Sequence, residues 1–396
     1  MGNTNLDDTM PIAPLKIIAL DGYKPLADKI NEIIVNTRKE KYKNHEDSLT
    51  CLGYDSDSYL VNADTPRFGS GEGKGIIYES VRGKDIYILA DVMNYNKTYK
   101  MAGMNNRLSP DDHFQDLKRM IYACNGKAHR INVIIPFLYE SRQHKRTNLE
   151  SLDAATALQE LTSMGVKNII TFDAHDPRVA NAVPIDGFEN FYTSFQFIQA
   201  LLAKDKSLLL DSDHLMMISP DEGGMSRAIF YANILGIDVG MFYKRRDFTV
   251  IENGKNPIVA HEFLGTSVEG KVVFIVDDMI ASGESILEVA KELKKRSATK
   301  VYIAATFGLF TEGFDKFDEY YEKGIIDGIF TTNLIHCPGE LLNKPYYTNV
   351  DISKYIALII DKLNHDISLE DIQNATSRIH DIISEHKMNS HHLNNI

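Results

Sequence analysis

Residues 271–285 read Lys271-Val-Val-Phe-Ile-Val-Asp277-Asp278-Met-Ile-Ala-Ser-Gly-Glu-Ser285. The continuous apolar run before Asp277 predicts a strand that is buried on both faces, which is typical of parallel sheets. Small residues follow the two carboxylates, and apolar residues then recur at helical spacing from Ile286 to Leu293. The order of strand, acidic pair, small-residue turn and helix predicts an α/β fold.

The turn after Asp278 has the chemistry of a sugar-phosphate site. Backbone N–H groups and serine hydroxyls at a helix N-terminus are suited to binding a phosphate. Carboxylates accept hydrogen bonds, so the acidic pair is suited to hydroxyl groups. The structural alternative is an acidic strand end that only caps the next helix. The complete order of elements favours the sugar-phosphate interpretation.

Length and charge restrict the class of protein. At 396 residues the chain exceeds one typical core, which suggests two domains. The net charge of −12, from 43 basic and 55 acidic residues, argues against nucleic acid or an anionic membrane as a partner. No apolar run approaches the length of a membrane span. The three cysteines have no metal-like spacing and suit a reducing cytosol, so we expect a cytoplasmic protein.

Short apolar runs alternate with helical stretches along the chain. This alternation predicts largely parallel sheets flanked by helices, in two halves of similar rhythm. A polar stretch with proline and glycine at 184–190 is the expected boundary. The expected domains are residues 1–186, residues 187–365, and a C-terminal helix and tail at 366–396. Residues 40–66 and 92–112 are polar and weakly patterned, and we interpret them as surface insertions in the first domain.

Other predicted strands also end in polar residues. Asp221 follows the apolar strand Leu215–Ser219, and Asp173 and His175 follow the strand Asn168–Phe172. In open α/β sheets, ligands bind at the carboxyl ends of the strands. A carboxylate and an imidazole near phosphates suggest a divalent metal that is held together with water and substrate oxygens. A single histidine at a strand end is often structural, and that alternative stays open at this point.

Two basic clusters can gather an anionic substrate, at residues 142–146 and 244–246. Lys244 and Arg246 follow the predicted strand Asp238–Tyr243 and precede a polar stretch at 247–260. Cations on a closing loop can stabilise charge that develops only in the transition state. Either cluster, taken alone, is equally compatible with a solvated charged face.

From about Arg67 to about Asp351, the sequence resembles the ribose-phosphate pyrophosphokinase family, also called PRPP synthetases; Leu15–Ile33 resembles it more weakly. The segments that carry the resemblance are Glu79-Ser-Val-Arg-Gly83, Arg142-Gln143, Asp173-Ala-His175, Ser219-Pro-Asp221-Glu-Gly-Gly224 and Lys244-Arg-Arg246. The family's sugar loop is commonly D-D-M-x-D-T-x-G-T. This chain has Ala281 in place of Asp, Glu284 in place of Gly, and Ser282 and Ser285 in place of Thr. His144 likewise stands where the family usually has aspartate.

The resemblance implies two similar phosphoribosyltransferase-type domains and a role for each segment. It implies ATP binding by Phe68, Ser70, Glu72, Arg142, Gln143 and Lys145. It implies ribose 5-phosphate binding by Asp277, Asp278, Ala281, Ser282, Gly283, Glu284 and Ser285. Mg²⁺ is assigned to His175 and Asp221 with support from Asp173, and catalysis to Lys244 and Arg246.

The implied reaction transfers the β,γ-diphosphoryl group of ATP to the 1-hydroxyl of ribose 5-phosphate. The products are AMP and PRPP for nucleotide biosynthesis. One alternative is a phosphoribosyltransferase that consumes PRPP, against which the ATP-side segments argue. Another is a weak or inactive relative that binds nucleotides or regulates a partner, an idea that Ala281 and Glu284 keep open. Family members assemble through the first domain, so we expect a homo-oligomer.

Overall fold

The computed structural model describes residues 9–44, 53–246 and 258–393. The chain divides into two compact units. The first unit comprises Met1–Tyr192, Asn333–His336 and Asp351–Gln373, and the second unit comprises Thr193–Thr332, Cys337–Val350 and Asn374–Ile396. Within the described ranges, no helix is both long and apolar enough to cross a membrane.

Strands and helices are numbered in chain order. The strands are β1 Leu15–Ala19, β2 Ala63–Asp64, β3 Ile76–Ile77, β4 Asp85–Leu89, β5 Thr98–Met101, β6 Met104–Arg107, β7 Arg130–Ile134, β8 Asn168–Phe172, β9 Gly187–Phe191, β10 Leu215–Ser219, β11 Asp238–Arg246, β12 Ile258–Leu264, β13 Val272–Ile280, β14 Lys300–Gly308, β15 Gly328–Thr332 and β16 Tyr347–Val350. The helices are α1 Lys24–Asn44, α2 Pro110–Cys124, α3 Asp153–Ser163, α4 Ser194–Lys204, α5 Met225–Leu235, α6 Glu284–Lys295, α7 Asp315–Glu322, α8 Gly339–Leu342, α9 Ser353–Asn364, α10 Glu370–Gln373 and α11 Thr376–Leu393.

The first unit is built on a five-stranded parallel sheet in the order β1-β4-β7-β8-β9. Every residue of β4 is buried, which is the pattern of a central strand with helices on both faces. Helix α9, although it comes late in the chain, packs on α1. Between them, the Arg38 guanidinium, 1% exposed, donates to Asp361 Oδ1 at 2.7 Å and Asn364 Oδ1 at 2.7 Å.

The second unit is built on a seven-stranded sheet in the order β12-β11-β10-β13-β14-β15-β16. The pairs from β11 to β16 are parallel, and β12 joins β11 antiparallel at the edge. The core side chains of β13 and β14 include Val273, Ile275, Val301 and Ile303, all fully buried. Parallel strands send their carboxyl ends to one edge, so β10 and β13 bring their following loops close together.

These two sheets confirm the predicted α/β class with largely parallel sheets flanked by helices. Three details differ from the sequence-based expectation. Strand β9 occupies part of the stretch interpreted as a boundary, α9 packs in the first unit, and β11 and β13 extend beyond the strands expected there. The strands predicted at Asn168–Phe172 and Leu215–Ser219 have the observed bounds of β8 and β10.

The insertion at 92–112 contains an antiparallel hairpin of β5 and β6. Its turn residues Ala102 and Gly103 have positive φ values of 51° and 80°. A two-residue type I′ turn requires positive φ at both positions to match the right-handed twist of the paired strands. The second insertion, at 40–66, includes the end of α1 and strand β2, while its residues 45–52 lie outside the described part of the chain.

Candidate active site

Asp277 and Asp278 lie within β13, near its C-terminal end, and not after it. The strand is longer than predicted because its pairing with β14 continues as far as Ile280. Asp278 is 6% exposed, and its N–H donates to Asp277 Oδ1 at 2.9 Å. Burial, and then the charge of Asp278, raise the pKa of Asp277 well above its usual range. Arg227 Nη1 lies 3.8 Å from Asp277 Oδ1 and opposes that effect.

The small-residue turn after β13 is closely packed. Gly283 has a φ of 83°, and a Cβ placed on it would lie 2.1 Å from the Phe317 ring. Helix α6 begins at Glu284, so Ser285 also lies in its first turn, where the helix dipole is positive. Ser282 Oγ accepts the Glu284 N–H at 3.4 Å, and Ala281 O accepts the Thr311 N–H at 3.0 Å. The turn is therefore fixed from both sides.

The Glu284 side chain is exposed. A carboxylate at this position would repel a bound phosphate only if it were directed towards it. At the first position of α6, the negative charge instead interacts favourably with the helix N-terminus.

Asp221 follows β10 on the same edge of the sheet as the acidic doublet. Its Oδ1 accepts the N–H groups of Gly223 at 2.9 Å and Gly224 at 3.2 Å, which fixes the start of α5. A Cβ on Gly224 would lie 2.8 Å from Ser219 Oγ, so this approach requires glycine. The charge of Asp221 also contributes to the raised pKa of Asp277.

Lys244 and Arg246 lie on β11, and not in a loop after it as the sequence suggested. Antiparallel pairing with β12 extends the strand, with Lys244 opposite His261 and Arg246 opposite Ile258. The register shifts between Arg245 and Arg246. Most of the polar stretch that we interpreted as a mobile lid, residues 247–257, lies outside the described part of the chain.

In the first unit, Asp173 and His175 follow β8, as expected. Asp173 is buried and has a φ of 42°, an uncommon conformation for a residue with a side chain. Its N–H donates to Phe191 O at 2.8 Å, and the Ala174 N–H donates to Asn190 Oδ1 at 3.0 Å. Contacts with β9 therefore hold this strained strand end, while His175 is exposed.

Residues 142–145 follow β7, the neighbour of β8. Arg142 and Lys145 are exposed, as cations that bind phosphates need to be. Gln143 supports the loop, because its Nε2 donates to Ser151 O at 2.8 Å and Lys145 O at 3.3 Å. His144 turns inward, with its ring centroid 5.4 Å from that of His175. The structure therefore brings this segment next to the end of β8.

Phe68, Ser70 and Glu72 lie on one short turn. The Phe68 N–H donates to Glu72 O at 2.7 Å, and Ser70 Oγ donates to Glu72 Oε2 at 2.7 Å. Phe68 is 53% exposed. Next to the turn, Arg67 forms a bidentate pair with Asp116 at 2.6 and 2.7 Å. The turn therefore presents the exposed Phe68 side chain, and the Arg67–Asp116 pair holds the start of the turn in place.

The residues expected to hold a metal are divided between the units: Asp173 and His175 in the first and Asp221 in the second. In the part of the chain that the structure describes, no three His, Cys, Asp or Glu side chains form a metal-binding group.

Sequence reasoning missed two charged groups near the expected site residues. Arg227 lies on α5, beyond any motif, and Asp176 directly follows the Asp-Ala-His segment. A third group that it missed is Asp91, which follows β4 in the first unit and accepts the N–H groups of Met93 at 3.0 Å and His336 at 2.7 Å. Burial raises the pKa of Asp91 to about 7. Polar residues after predicted strands are the only signal by which the sequence points to Asp176 and Asp91.

Comparison with known proteins identifies the family. A family model described as the N-terminal domain of ribose phosphate pyrophosphokinase matches residues 15–165, and one described as the phosphoribosyl synthetase-associated domain matches residues 249–373. The ribose-phosphate pyrophosphokinase of Mycoplasma genitalium is 31% identical over 274 residues, which cover 68% of this chain and 74% of that protein. The chain belongs to the ribose-phosphate pyrophosphokinase family.

Two further comparisons agree with this family. The ribose-phosphate pyrophosphokinase of Vibrio parahaemolyticus is 28% identical over 315 residues, covering 78% of this chain and 90% of the relative. The crystal structure of phosphoribosylpyrophosphate synthetase from Mycobacterium smegmatis superposes with a TM-score of 0.68 at 20% identity, covering 89% of this chain and 99% of that one. That likeness shows a shared fold.

Proposed function

We propose that this protein is a ribose-phosphate diphosphokinase that makes PRPP and AMP from ribose 5-phosphate and ATP. The observation that carries the proposal is the end of β13, where Met279 and Ile280 separate the acidic doublet from a glycine-dependent turn and the N-terminus of α6. Membership of the ribose-phosphate pyrophosphokinase family supports the same reaction.

In the proposed complex, the turn and α6 bind the 5-phosphate of the sugar. Backbone N–H groups from Ala281 to Ser285 and the hydroxyls of Ser282 and Ser285 donate to phosphate oxygens. The ribose hydroxyls donate to Asp277 and Asp278, and these bonds offset the cost of holding two adjacent carboxylates. The 1-hydroxyl is thereby held for attack, with Glu284 kept out of the phosphate site.

The first unit supplies the ATP side in this proposal. The exposed face of Phe68 suits stacking on adenine, with Ser70 and Glu72 as polar partners on the same turn. Arg142 and Lys145 are exposed cations that suit the phosphates, and Gln143 supports their loop.

The carboxylates among the expected metal ligands fit Mg²⁺. Carboxylate oxygens are its preferred protein ligands, and it usually retains several waters. Burial, and then the charge of Asp278, raise the pKa of Asp277, and a divalent cation close by would favour its ionised form. We assign metal binding to His175 and Asp173 in the first unit and to Asp221 in the second unit. When bound, Mg²⁺ would neutralise the negative charge of the ATP phosphates.

The reaction forms a bond between the ribose 1-oxygen and the β-phosphorus of ATP. The bond from that phosphorus to the oxygen bridging the α-phosphorus breaks, the 1-hydroxyl loses its proton, and AMP leaves. Transfers of this kind depend on alignment and charge neutralisation. We assign stabilisation of the migrating diphosphoryl group to Lys244 and Arg246.

The Lys244→Ala variant tests this assignment. We expect the rate of AMP release to fall by about 10³-fold with little change in KM, because the lost charge acts on the transition state. Lys316→Ala removes an exposed lysine of α7 and is the matched control, with unchanged turnover expected. Equal turnover of the Lys244 variant and the wild type would contradict the assigned role.

The alternatives make different predictions. A phosphoribosyltransferase that uses PRPP needs no ATP-side segments, whereas residues 15–165 match the N-terminal domain of the pyrophosphokinase family. An inactive regulatory relative would bind ATP and ribose 5-phosphate without releasing AMP. We further propose that the enzyme is cytoplasmic and acts as a homo-oligomer, in keeping with its three dispersed cysteines and its family.

A further inference from the structure

His144 occupies an unusual position in the first unit. Its side chain is only 11% exposed, and its Nε2 lies 3.3 Å from Asp176 Oδ2. Its Nδ1 is buried and has no hydrogen-bond partner among the described residues. A buried polar atom without a partner costs free energy. We therefore expect a bound group that accepts the lone pair of His144 Nδ1.

The Asp176 carboxylate lies beside His144 and is held in place by Arg178. Its Oδ1 accepts from Arg178 Nε at 2.9 Å and from the Arg178 backbone N–H at 2.9 Å. A carboxylate next to one imidazole nitrogen favours the tautomer that protonates that nitrogen, and it leaves the other nitrogen free to bind a metal ion.

A second imidazole lies within reach of the same ion. The ring centroids of His144 and His175 are 5.4 Å apart, with the ring planes inclined at 58°. Two imidazoles bound to one tetrahedral ion at about 2.1 Å have centroids about 5 Å apart. His175 is exposed, so the ion can enter from solvent and keep water or phosphate oxygens as its remaining ligands.

We propose that His144 and His175 bind one divalent transition-metal ion, with Asp176 orienting His144. Imidazole nitrogens favour ions such as Zn²⁺, Co²⁺ and Ni²⁺ over Mg²⁺, which prefers oxygen ligands. This inference deepens the proposed function, on which it rests for the nucleotide, because His175 is assigned there to the metal that accompanies ATP. His144 changes the preferred metal of that site.

The test is titration of the untagged, full-length protein with Co²⁺ alone, followed by calorimetry and visible absorption. We expect a one-to-one site whose absorption shows nitrogen ligands and which millimolar Mg²⁺ does not displace. His175→Ala and His144→Gln should each weaken Co²⁺ binding by at least about tenfold, and Asp176→Asn by about 10- to 100-fold. His214→Ala is the matched control, since His214 also lies beside a carboxylate, Asp211, at 2.6 Å but in the second unit.

Equal Co²⁺ affinity of the wild type, the His144 variant and the His175 variant would overturn the inference, as would displacement of Co²⁺ by millimolar Mg²⁺. His175 is exposed, so its truncation tests the site even if changing the buried His144 destabilises the fold. Release of AMP in Mg²⁺ is measured separately. Intact AMP release without a Co²⁺ site would overturn this inference alone, and a Co²⁺ site without AMP release would overturn the proposed function alone.

Discussion

Replacing Gly283 with alanine tests the packing of the sugar-phosphate turn. The φ of Gly283 is 83°, in the left-handed region, where a residue with a Cβ costs about 1–2 kcal/mol. The new Cβ would lie 2.1 Å from the ring of Phe317, which is fully buried. Because such a ring has little room to move, overpacking adds roughly 1–3 kcal/mol. We expect Gly283→Ala to lose roughly 2–5 kcal/mol of unfolding free energy.

The matched control is Gly313→Ala. Gly313 has a similar φ of 79°, but a Cβ there meets nothing within 4 Å. We therefore expect it to lose only the backbone cost, about 1–2 kcal/mol. Urea unfolding of both variants under the same conditions isolates the contact with Phe317. A double-mutant cycle of Gly283→Ala with Phe317→Leu should show coupling of about 1–2 kcal/mol, since the smaller side chain relieves the clash.

The same substitution should also affect substrate binding. A displaced turn misaligns the N-terminus of α6, so KM for ribose 5-phosphate should rise more than kcat falls. If Gly283→Ala and Gly313→Ala lost the same free energy, the reasoning about the Phe317 contact would be refuted. An additive double-mutant cycle would refute it as well.

Three further predictions concern charged groups. Asp277→Asn should raise KM for ribose 5-phosphate by about 10- to 100-fold, and it should also raise the unfolding free energy, because it removes a carboxylate whose ionisation is disfavoured in the fold. Steady-state kinetics and urea unfolding at pH 8 measure the two effects. A variant less stable than the wild type would contradict this prediction. Glu284→Gln should lower KM for ribose 5-phosphate severalfold, because it removes a negative charge near the proposed phosphate site. It should also cost about 0.3–1 kcal/mol of unfolding free energy, because an anion at the N-terminus of α6 is lost. A higher KM would contradict the outward orientation proposed for Glu284. Asp91 has a pKa of about 7 in the fold, raised from its usual 3.8, so its contribution to stability is present at low pH and is lost as pH rises from about 4 through 7. Between pH 5 and pH 8 the wild type should therefore lose roughly 2–3 kcal/mol relative to Asp91→Asn, and parallel pH profiles of unfolding free energy would exclude this role.

The sequence was sufficient for the parts of the fold that local patterns encode. The apolar residues of β8 and β10 form short segments that polar residues flank, so the ends of these two strands could be predicted directly. The order of elements from 272 to 295 was equally visible, because strand, carboxylates, glycine and helix follow one another there.

The remainder depends on pairing between distant segments. Strand β11 continues through Lys244 because β12 pairs with it, and nothing in residues 238–246 alone signals that partner. Strand β9 is polar and half-buried, so its pattern resembles a linker. The strained φ of Asp173 is imposed by contacts with Phe191 and Asn190, which lie in β9. The proximity of His144 to Asp176 likewise follows from the adjacency of β7 and β8.

The most direct test of the central claim is ³¹P NMR of the purified protein with Mg²⁺, ATP and ribose 5-phosphate. The account predicts that ATP disappears as AMP and PRPP appear in equal amounts, and that neither product forms when ribose 5-phosphate is omitted. Formation of ADP in place of AMP, or AMP release that does not depend on ribose 5-phosphate, would contradict transfer of a diphosphoryl group to the sugar.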